Sequence, residues 1–393
     1  MTESPGGRPP ETLYDSRPGA LEDAPAVSLI VPLYNVRPYL AACLSGVLAA
    51  QATLPLEILL IDDGSSDGTT EEVLKILARR NPGGVLFCRQ ENRGLSAVRN
   101  LGVRLARGRY LGFLDSDDLM VSGSLAELHR FAVHNHCDMV LGRSFVFDSK
   151  SEVTSPFYDA WAFEALLGGA RSRVVSRHED YRLYFLEPNA NYRLIRRQFY
   201  LDLGLSYPEG RLFEDPPVHF KLLAQAARIG LVDVPYYGYR VNRPGKITEA
   251  RSHRRFDILP VAEETFKALK QEPIPQRAGG ALVYSLSRIV WWCGTMTLPE
   301  DREPFYREAI EVFQTVPPSW LMAFRALSFP DEMLHLVVGA LIRRDVDRLV
   351  ELSQNRRNRL RSALYLLRLR RWDLLLRHAR SALRLKGRLR RAP

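Results

Sequence analysis

The segment Leu56–Gly68 reads LEILLIDDGSSDG: an apolar run that stops abruptly in three acids, two serines and two glycines. A short continuous apolar run bounded by turn residues reads as a strand buried on both faces. Working outward, the same unit recurs. VSLIVPLY (27–34) precedes a helix-like stretch that ends near Gln51; after LEILLID a helix begins near Asp67; VLFCRQ (85–90) precedes a helix from about Leu95 to Arg107; RYLGFLD (109–115) follows. Strands alternating with amphipathic helices predict an α/β fold with a mainly parallel sheet covered on both sides. In such sheets ligands sit beyond the carboxyl ends of the strands, so the residues after each apolar run carry the chemistry.

Those residues are Pro32-Leu33-Tyr34-Asn35, then Asp62-Asp63 with Asp67, then Asp115-Ser116-Asp117-Asp118. One aromatic ring and several carboxylates thus reach one edge of the sheet. Clustered carboxylates repel and need a cation, a proton or a hydrogen-bonding ligand. An all-oxygen donor set selects a hard divalent ion such as Mg²⁺ or Mn²⁺, and such an ion is most useful bridging two phosphates. Plainer readings stand beside these. Asp67 reads as the N-cap of the second helix, Asp62 as a partner for turn amides, and one acid of Asp115-Ser116-Asp117-Asp118 as a cap before Leu119. The last accounts for one acid of three, so metal binding is the favoured reading there. Neither GxGxxG nor GxxxxGK[ST] occurs, which argues against a dinucleotide dehydrogenase and a P-loop NTPase. Phosphate charge then falls to metal and to basic side chains, with Arg93 and Arg99 at a helix start as candidates.

The run VSLIVPLYN…LEILLIDDGSSDGT…ENRGLSAVRNLGVRLARGRYLGFLDSDDLM, about Val27–Leu119, resembles the nucleotide-sugar-binding half of a glycosyltransferase family 2 enzyme with the GT-A (Rossmann-like) fold. A weaker continuation covers Asn191-Tyr192-Arg193-Leu194, Gly210-Arg211-Leu212-Phe213-Glu214-Asp215 and Tyr239-Arg240 to Thr248, similar to enzymes that build bacterial cell-surface polymers, including wall teichoic acid glycosyltransferases. The resemblance implies that Pro32 and Tyr34, with Asn35 beside them, pack on the nucleotide base. It implies that Asp63 bonds uracil, so the donor is a UDP-sugar; Arg99, a phosphate candidate from its place at a helix start, is set beside it as donor-binding. Asp115 and Asp117 match the DxD pair, whose last member contacts Mn²⁺ or Mg²⁺ on the diphosphate. Asp215 matches the catalytic base, with Glu214 adjacent. Arg240 and Lys246 match a pair near the pyrophosphate, where a Ser is usual at the second position. Some GT-A enzymes take a late His as a metal ligand, a role open to His253; a lone His among arginines is more often a surface residue. Trp291-Trp292 reads as core or as a stacking surface for an acceptor sugar. The implied reaction is a single inverting displacement onto a hydroxyl of a cell-surface polymer, polysaccharide or lipid-linked acceptor. The competing readings are a sugar-nucleotide nucleotidyltransferase, whose Gly-rich basic loop is missing, and a catalytically silent polymer- or membrane-binding module.

Composition sets the remaining expectations. The 393 residues include 55 Lys+Arg and 45 Asp+Glu, a formal net charge of +10. Residues 356–393 hold 14 basic residues and one acid, so the rest of the chain is slightly acidic. That distribution argues against a nucleic-acid binder and for a nearly neutral body with a basic end. Apolar residues Leu366, Leu369, Trp372, Leu376, Ala379 and Leu383 form a stripe at helical spacing, which fits an interfacial membrane helix, a helix packed on its own bundle, or attraction to an anionic polymer. Four scattered cysteines point to a reducing compartment. The polar N-terminus carries no signal-peptide pattern and no apolar run is long enough to span a bilayer. The expectation is a cytoplasmic protein, peripheral on the inner face of the plasma membrane if the basic helix binds lipid. The expected organisation is a disordered tail over 1–25, a GT-A domain over 26–250, a helical domain over 251–355 and the basic helix over 356–393.

Overall fold

The computed structural model describes residues 9–18, 24–121, 123–148, 154–243, 251–327 and 331–354. The chain divides into two compact units, Met1–Pro244 and Gly245–Pro393. The basic helix read over 356–393, and Lys246, lie outside the described residues.

Among the described residues the first unit is built on an eleven-stranded mixed sheet whose main path runs β1-β4-β3-β2-β5-β10-β7-β11-β6. Its parallel core is β4 (Val85–Arg89), β3 (Leu56–Asp62), β2 (Val27–Leu33) and β5 (Tyr110–Phe113). Every residue of β2 and β3 is buried, as continuous apolar runs demand when helices cover both faces. The connecting helices are α1 (Leu40–Ala50), α2 (Thr69–Arg80) and α3 (Leu95–Leu105), close to the expected spans. Beyond β5 the strand β10 (Arg193–Arg196) enters antiparallel, followed by the parallel pair β7 (Met139–Phe147) and β11 (Ile229–Arg240).

Two expectations are corrected. Residues 1–25 were read as a tail, yet Glu11–Asp15 forms β1, antiparallel to β4. An edge strand needs backbone partners more than an apolar pattern, and β4 offers a free edge. Tyr14 Oη and Ser16 Oγ then donate to the Pro82 carbonyl at 3.2 and 2.8 Å. No helix starts at Leu119 for an acid to cap. Leu119–Met120 is the short strand β6, paired with β11, and α4 begins at Ser124.

One glycine marks where backbones meet in the core. A Cβ on Gly108 would lie 2.4 Å from the Ser28 nitrogen and 2.7 Å from the Val27 carbonyl carbon. Backbone cannot yield as a flexible side chain can, so Gly108→Ala is expected to destabilise the fold by about 1–3 kcal/mol. An unchanged midpoint in urea denaturation would contradict this packing.

The described part of the second unit is helical: α8 (Ile258–Lys270), α9 (Gln276–Met296), α10 (Arg302–Gln314), α11 (Pro318–Ala326), α12 (Glu332–Ile342) and α13 (Val346–Ser353). Gly279 and Gly280 let α9 approach α11, since Cβ atoms there would lie 2.3 Å from the Trp320 ring and 2.6 Å from the Phe324 nitrogen. Trp291 stacks on Tyr306 with ring centroids 5.9 Å apart, and the Arg255 guanidinium lies 4.5 Å from the Trp292 ring centroid. His253 is 77% exposed, stacks on Phe256 at 4.3 Å and has Nδ1 3.8 Å from an Asp301 oxygen. No described helix is long and apolar enough to cross a membrane.

Candidate active site

The carboxyl ends of β2, β3 and β5 meet as the strand pairing requires, because Leu33 is in register with Asp62 and Ile30 with Phe113. The loop after β2 is locked onto the loop after β3. Asn35, at φ 51°, accepts from the Ser66 N–H at 2.9 Å through Oδ1 and donates its own N–H to Ser65 Oγ at 3.0 Å. Asn35 therefore shapes this turn, whatever else it meets. Asp67 accepts the N–H groups of Arg37 and Thr69 at 3.1 and 3.0 Å. It sits one residue before the helix cap, which is Gly68 at φ 87° rather than Asp67 itself. Asp62, fully buried, accepts the Ser65 N–H at 2.9 Å and the Thr70 hydroxyl, the turn-amide role read for it.

Asp63 is 4% exposed and faces the loop after β4. Its carboxylate accepts Gln90 Nε2 at 2.7 Å and the N–H groups of Arg93 and Gly94 at 2.9 and 2.7 Å. These bonds fix the 90–94 loop to the strand-end cluster. Pro32 is buried within β2, paired in register with Ile61, so of the two residues read as base-packing only Tyr34, 48% exposed, offers an open ring.

The centre of the site is Arg99, on α3 and 1% exposed. Its Nη1 donates to Glu214 Oε1 at 2.8 Å and Asp215 Oδ1 at 3.0 Å, and its Nη2 to Asp115 Oδ1 at 3.0 Å. The ring of Tyr207 lies 5.2 Å from the guanidinium carbon. The reading of Arg99 as a donor phosphate ligand is corrected accordingly: three carboxylates surround the guanidinium. They hold its proton well above the usual arginine range in spite of burial. Arg93, the other candidate, pairs with Glu209 at 3.0 Å.

Glu214 and Asp215 reach Arg99 because α7 (Asp215–Gln225) starts there. Phe213, at φ 64°, turns the chain just before it, a left-handed conformation that costs a bulky residue roughly 1–2 kcal/mol. Prolines 216 and 217 suit a first helical turn, where no N–H is required. Neither acid caps the helix. Glu214 occupies the cap position without a side-chain bond to it, and Asp215 is the first helical residue, its side chain 22% exposed. Burial pushes the Asp215 carboxyl up to about 7, against the pull of Arg99 and with the help of Glu214 and Asp115.

Asp115, Asp117 and Asp118 take three different partners. Asp115 also accepts Asn191 Nδ2 at 2.8 Å. Asp118, 1% exposed, accepts the Tyr237 hydroxyl and the Arg240 N–H, the latter at 2.7 Å. Asp117, with 14% of its side chain exposed, pairs with Arg243. Arg240 is held between the rings of Tyr39 and Phe147, whose centroids lie 5.0 and 4.6 Å away, and its Nε donates to the Asp117 carbonyl at 2.6 Å. Arginines thus supply much of the positive charge at acids for which metal is the favoured reading from sequence. Asn191, Tyr207, Tyr237 and Arg243 had been given no role from sequence. Asn191 and Arg243 stand inside segments already singled out, while Tyr207 and Tyr237 carry no local signal.

Among the described residues no three His, Cys, Asp or Glu side chains form a metal cage. Mg²⁺ or Mn²⁺ is usually bound through one or two carboxylates plus substrate phosphates and needs no all-protein cage. The oxygen donors at hand are those of Asp117 and Asp115.

The family model described as "Glycosyl transferase family 2" matches residues 28–194. The uncharacterized glycosyltransferase EpsJ of Bacillus subtilis is 32% identical over 227 residues, 57% of this chain and 63% of EpsJ, so the match spans less than two thirds of that relative. The glycosyltransferase GlyG of Streptococcus pneumoniae is 28% identical over 226 residues, 56% of this chain and 72% of GlyG. Minor teichoic acid biosynthesis protein GgaB of B. subtilis is 32% identical over 105 residues, 26% of this chain and 12% of GgaB. In structure, S. aureus TarS 1-349 in complex with UDP-GlcNAc superposes with a TM-score of 0.67 at 20% identity, covering 84% of this chain and 91% of that one. Residues 28–194 thus match the glycosyltransferase family 2 model, and the chain shares a GT-A-like fold with TarS.

Proposed function

We propose that this chain transfers a sugar from a UDP-sugar to an acceptor hydroxyl, inverting the anomeric centre, with residues 26–250 as the catalytic domain and 251–355 as its helical companion. The observation that carries the reading is the Arg99 cluster. It brings the acid at the start of α7 to the strand-end acid Asp115 in one partly open site. Support for the donor comes from TarS, whose structures are described with UDP-GlcNAc and with UDP. Support for a teichoic-acid-like acceptor comes from the name of GgaB.

In this mechanism Tyr34 packs on the uracil. Asp63 aligns the loop beside it and offers its carboxylate edge to the base. Asp117 and Asp115 would hold Mn²⁺ or Mg²⁺, which when bound neutralises charge on the diphosphate. Asp215 accepts the proton of the acceptor hydroxyl as that oxygen attacks the sugar C1 and the bond from C1 to the diphosphate oxygen breaks. Glu214, on the same guanidinium, keeps Asp215 from drifting and helps raise its basicity. Arg240 would stabilise the leaving UDP; Lys246, the second candidate, lies outside the described residues. One carboxylate base and no protein nucleophile make a single displacement, so configuration at C1 inverts.

Nucleotide choice tests the donor. Calorimetry with Mn²⁺ present is expected to show UDP binding at least about tenfold more tightly than GDP, a difference of about 1.4 kcal/mol. Equal affinities would remove the uracil reading of Asp63. Asp117→Asn is expected to cost UDP affinity in Mn²⁺ and to leave the weaker metal-free binding unchanged. Equal loss in both conditions would show that Asp117 acts without metal.

A further inference from the structure

Asp115, Asp117, Asp118, Glu214 and Asp215 meet Arg99, Arg240 and Arg243 at this edge of the sheet, and the arginines are held in different ways. Arg99 is 1% exposed and grips three acids. Arg240, 5% exposed, ends β11 and is clamped between two rings while its backbone and side chain both serve the Asp117–Asp118 turn. Arg243 lies three residues beyond the strand, with 18% of its side chain exposed. Its guanidinium carbon is 5.8 Å from the Tyr39 ring centroid, at the edge of cation–π range. What fixes it is the ion pair from Nε to Asp117 Oδ2. The preceding Asn242, at φ 57° and with Nδ2 donating to Asp148 at 2.7 Å, turns the chain so that Arg243 comes back over the site.

We infer that Arg243 is a displaceable counter-ion for Asp117. It neutralises that carboxylate while no divalent cation is bound and competes with the cation for Oδ2. This rests on the assignment of Asp117 as the metal carboxylate. A Mg²⁺ or Mn²⁺ ion binds oxygen at about 2.1 Å. A guanidinium on the same oxygen would stand within a few ångströms of it, where two positive charges repel strongly in a partly buried site. Arg99 cannot yield without stranding three acids, and Arg240 is locked by its rings. Arg243, more exposed than either and held to one carboxylate by charge proximity without a hydrogen bond from Nε, is the group that moves. The arrangement keeps the site from carrying an uncompensated acid when empty, and it sets a threshold for metal entry.

The test is Mn²⁺ titrated into the full chain without nucleotide, with unbound Mn²⁺ read by its electron paramagnetic resonance signal. Removing a competitor tightens metal binding, whereas removing a merely structural arginine loosens it or leaves it alone. Arg243→Gln is expected to lower the Mn²⁺ dissociation constant by about fivefold, the upper range for an accessible ion pair. Arg243→Ala gives the same sign, and Arg243→Lys stays near wild type. Arg143→Gln, whose side chain pairs with Asp233 and Glu164 away from the site, serves as the unchanged control. Equal or weaker Mn²⁺ binding by Arg243→Gln, with wild type and variant both binding Mn²⁺ when UDP is added, overturns the inference alone. If neither holds Mn²⁺ even with UDP, the metal assignment of Asp117 fails and the inference falls with it.

Discussion

Asp215→Asn is expected to slow sugar transfer by about 10²–10⁴-fold, the usual contribution of a positioned general base, while UDP binding in Mn²⁺ stays near wild type. Asn keeps the shape and still offers an oxygen to Arg99, so the cluster loses a proton acceptor more than a strut. The pH dependence gives an independent check. Burial raises the Asp215 carboxyl to about 7, with Arg99 pulling it down and Glu214 and Asp115 pushing it up. A base works in its deprotonated form. The wild-type rate is therefore expected to rise with pH through about 7 and to fall as the carboxylate is protonated below it. A profile of kcat/KM should show this limb in wild type and lose it in Asp215→Asn. A variant that keeps both rate and limb would move the base elsewhere.

Arg99→Gln is expected to destabilise the first unit by about 3–5 kcal/mol, the cost of leaving buried or half-buried charges without their partner. Asp115, Glu214 and Asp215 all converge on this one guanidinium, within 2.8 to 3.0 Å. Gln spans at most part of that geometry and carries no charge. Lys would be a poor rescue, because a compact ammonium cannot address three acids from fixed fork positions. The double variant Arg99→Gln/Asp215→Asn should recover part of the loss, since one of the stranded charges is gone and the two sites are coupled. Urea denaturation of the four proteins gives the cycle. A loss below about 1 kcal/mol for Arg99→Gln, the scale of an exposed pair, would show that the cluster does not depend on it.

How far the sequence could be read follows from which signals are local. The β2, β3 and β5 runs announce themselves because strands buried on both faces must be apolar throughout, and the acids that end them fall at one edge because the strands are parallel. That was enough to list Asp63, Asp115 and Asp117. The shared partner of Asp115, Glu214 and Asp215 was not legible. Arg99 sits 16 residues from Asp115 but 115 and 116 from Glu214 and Asp215, and nothing in a helix pattern separates a buried arginine from a solvated one. The same distance hid Asn191 and Tyr237, which meet Asp115 and Asp118 from the mixed half of the sheet. The strand Glu11–Asp15 escaped because edge pairing uses backbone and leaves no hydrophobic pattern. Asp67 was misplaced by one residue because Gly68 supplies the left-handed turn into α2.

The central claim is that this site moves a sugar from UDP with metal at Asp117 and base at Asp215. The measurement that addresses it most directly is UDP released over time from a panel of UDP-sugars, UDP-GlcNAc among them, with Mn²⁺ and with chelator. Wild type is expected to release UDP from at least one donor in Mn²⁺ only, with Asp117→Asn and Asp215→Asn both failing to do so. Wild type that binds UDP yet releases none from any UDP-sugar in Mn²⁺, or release that survives both substitutions, would contradict it.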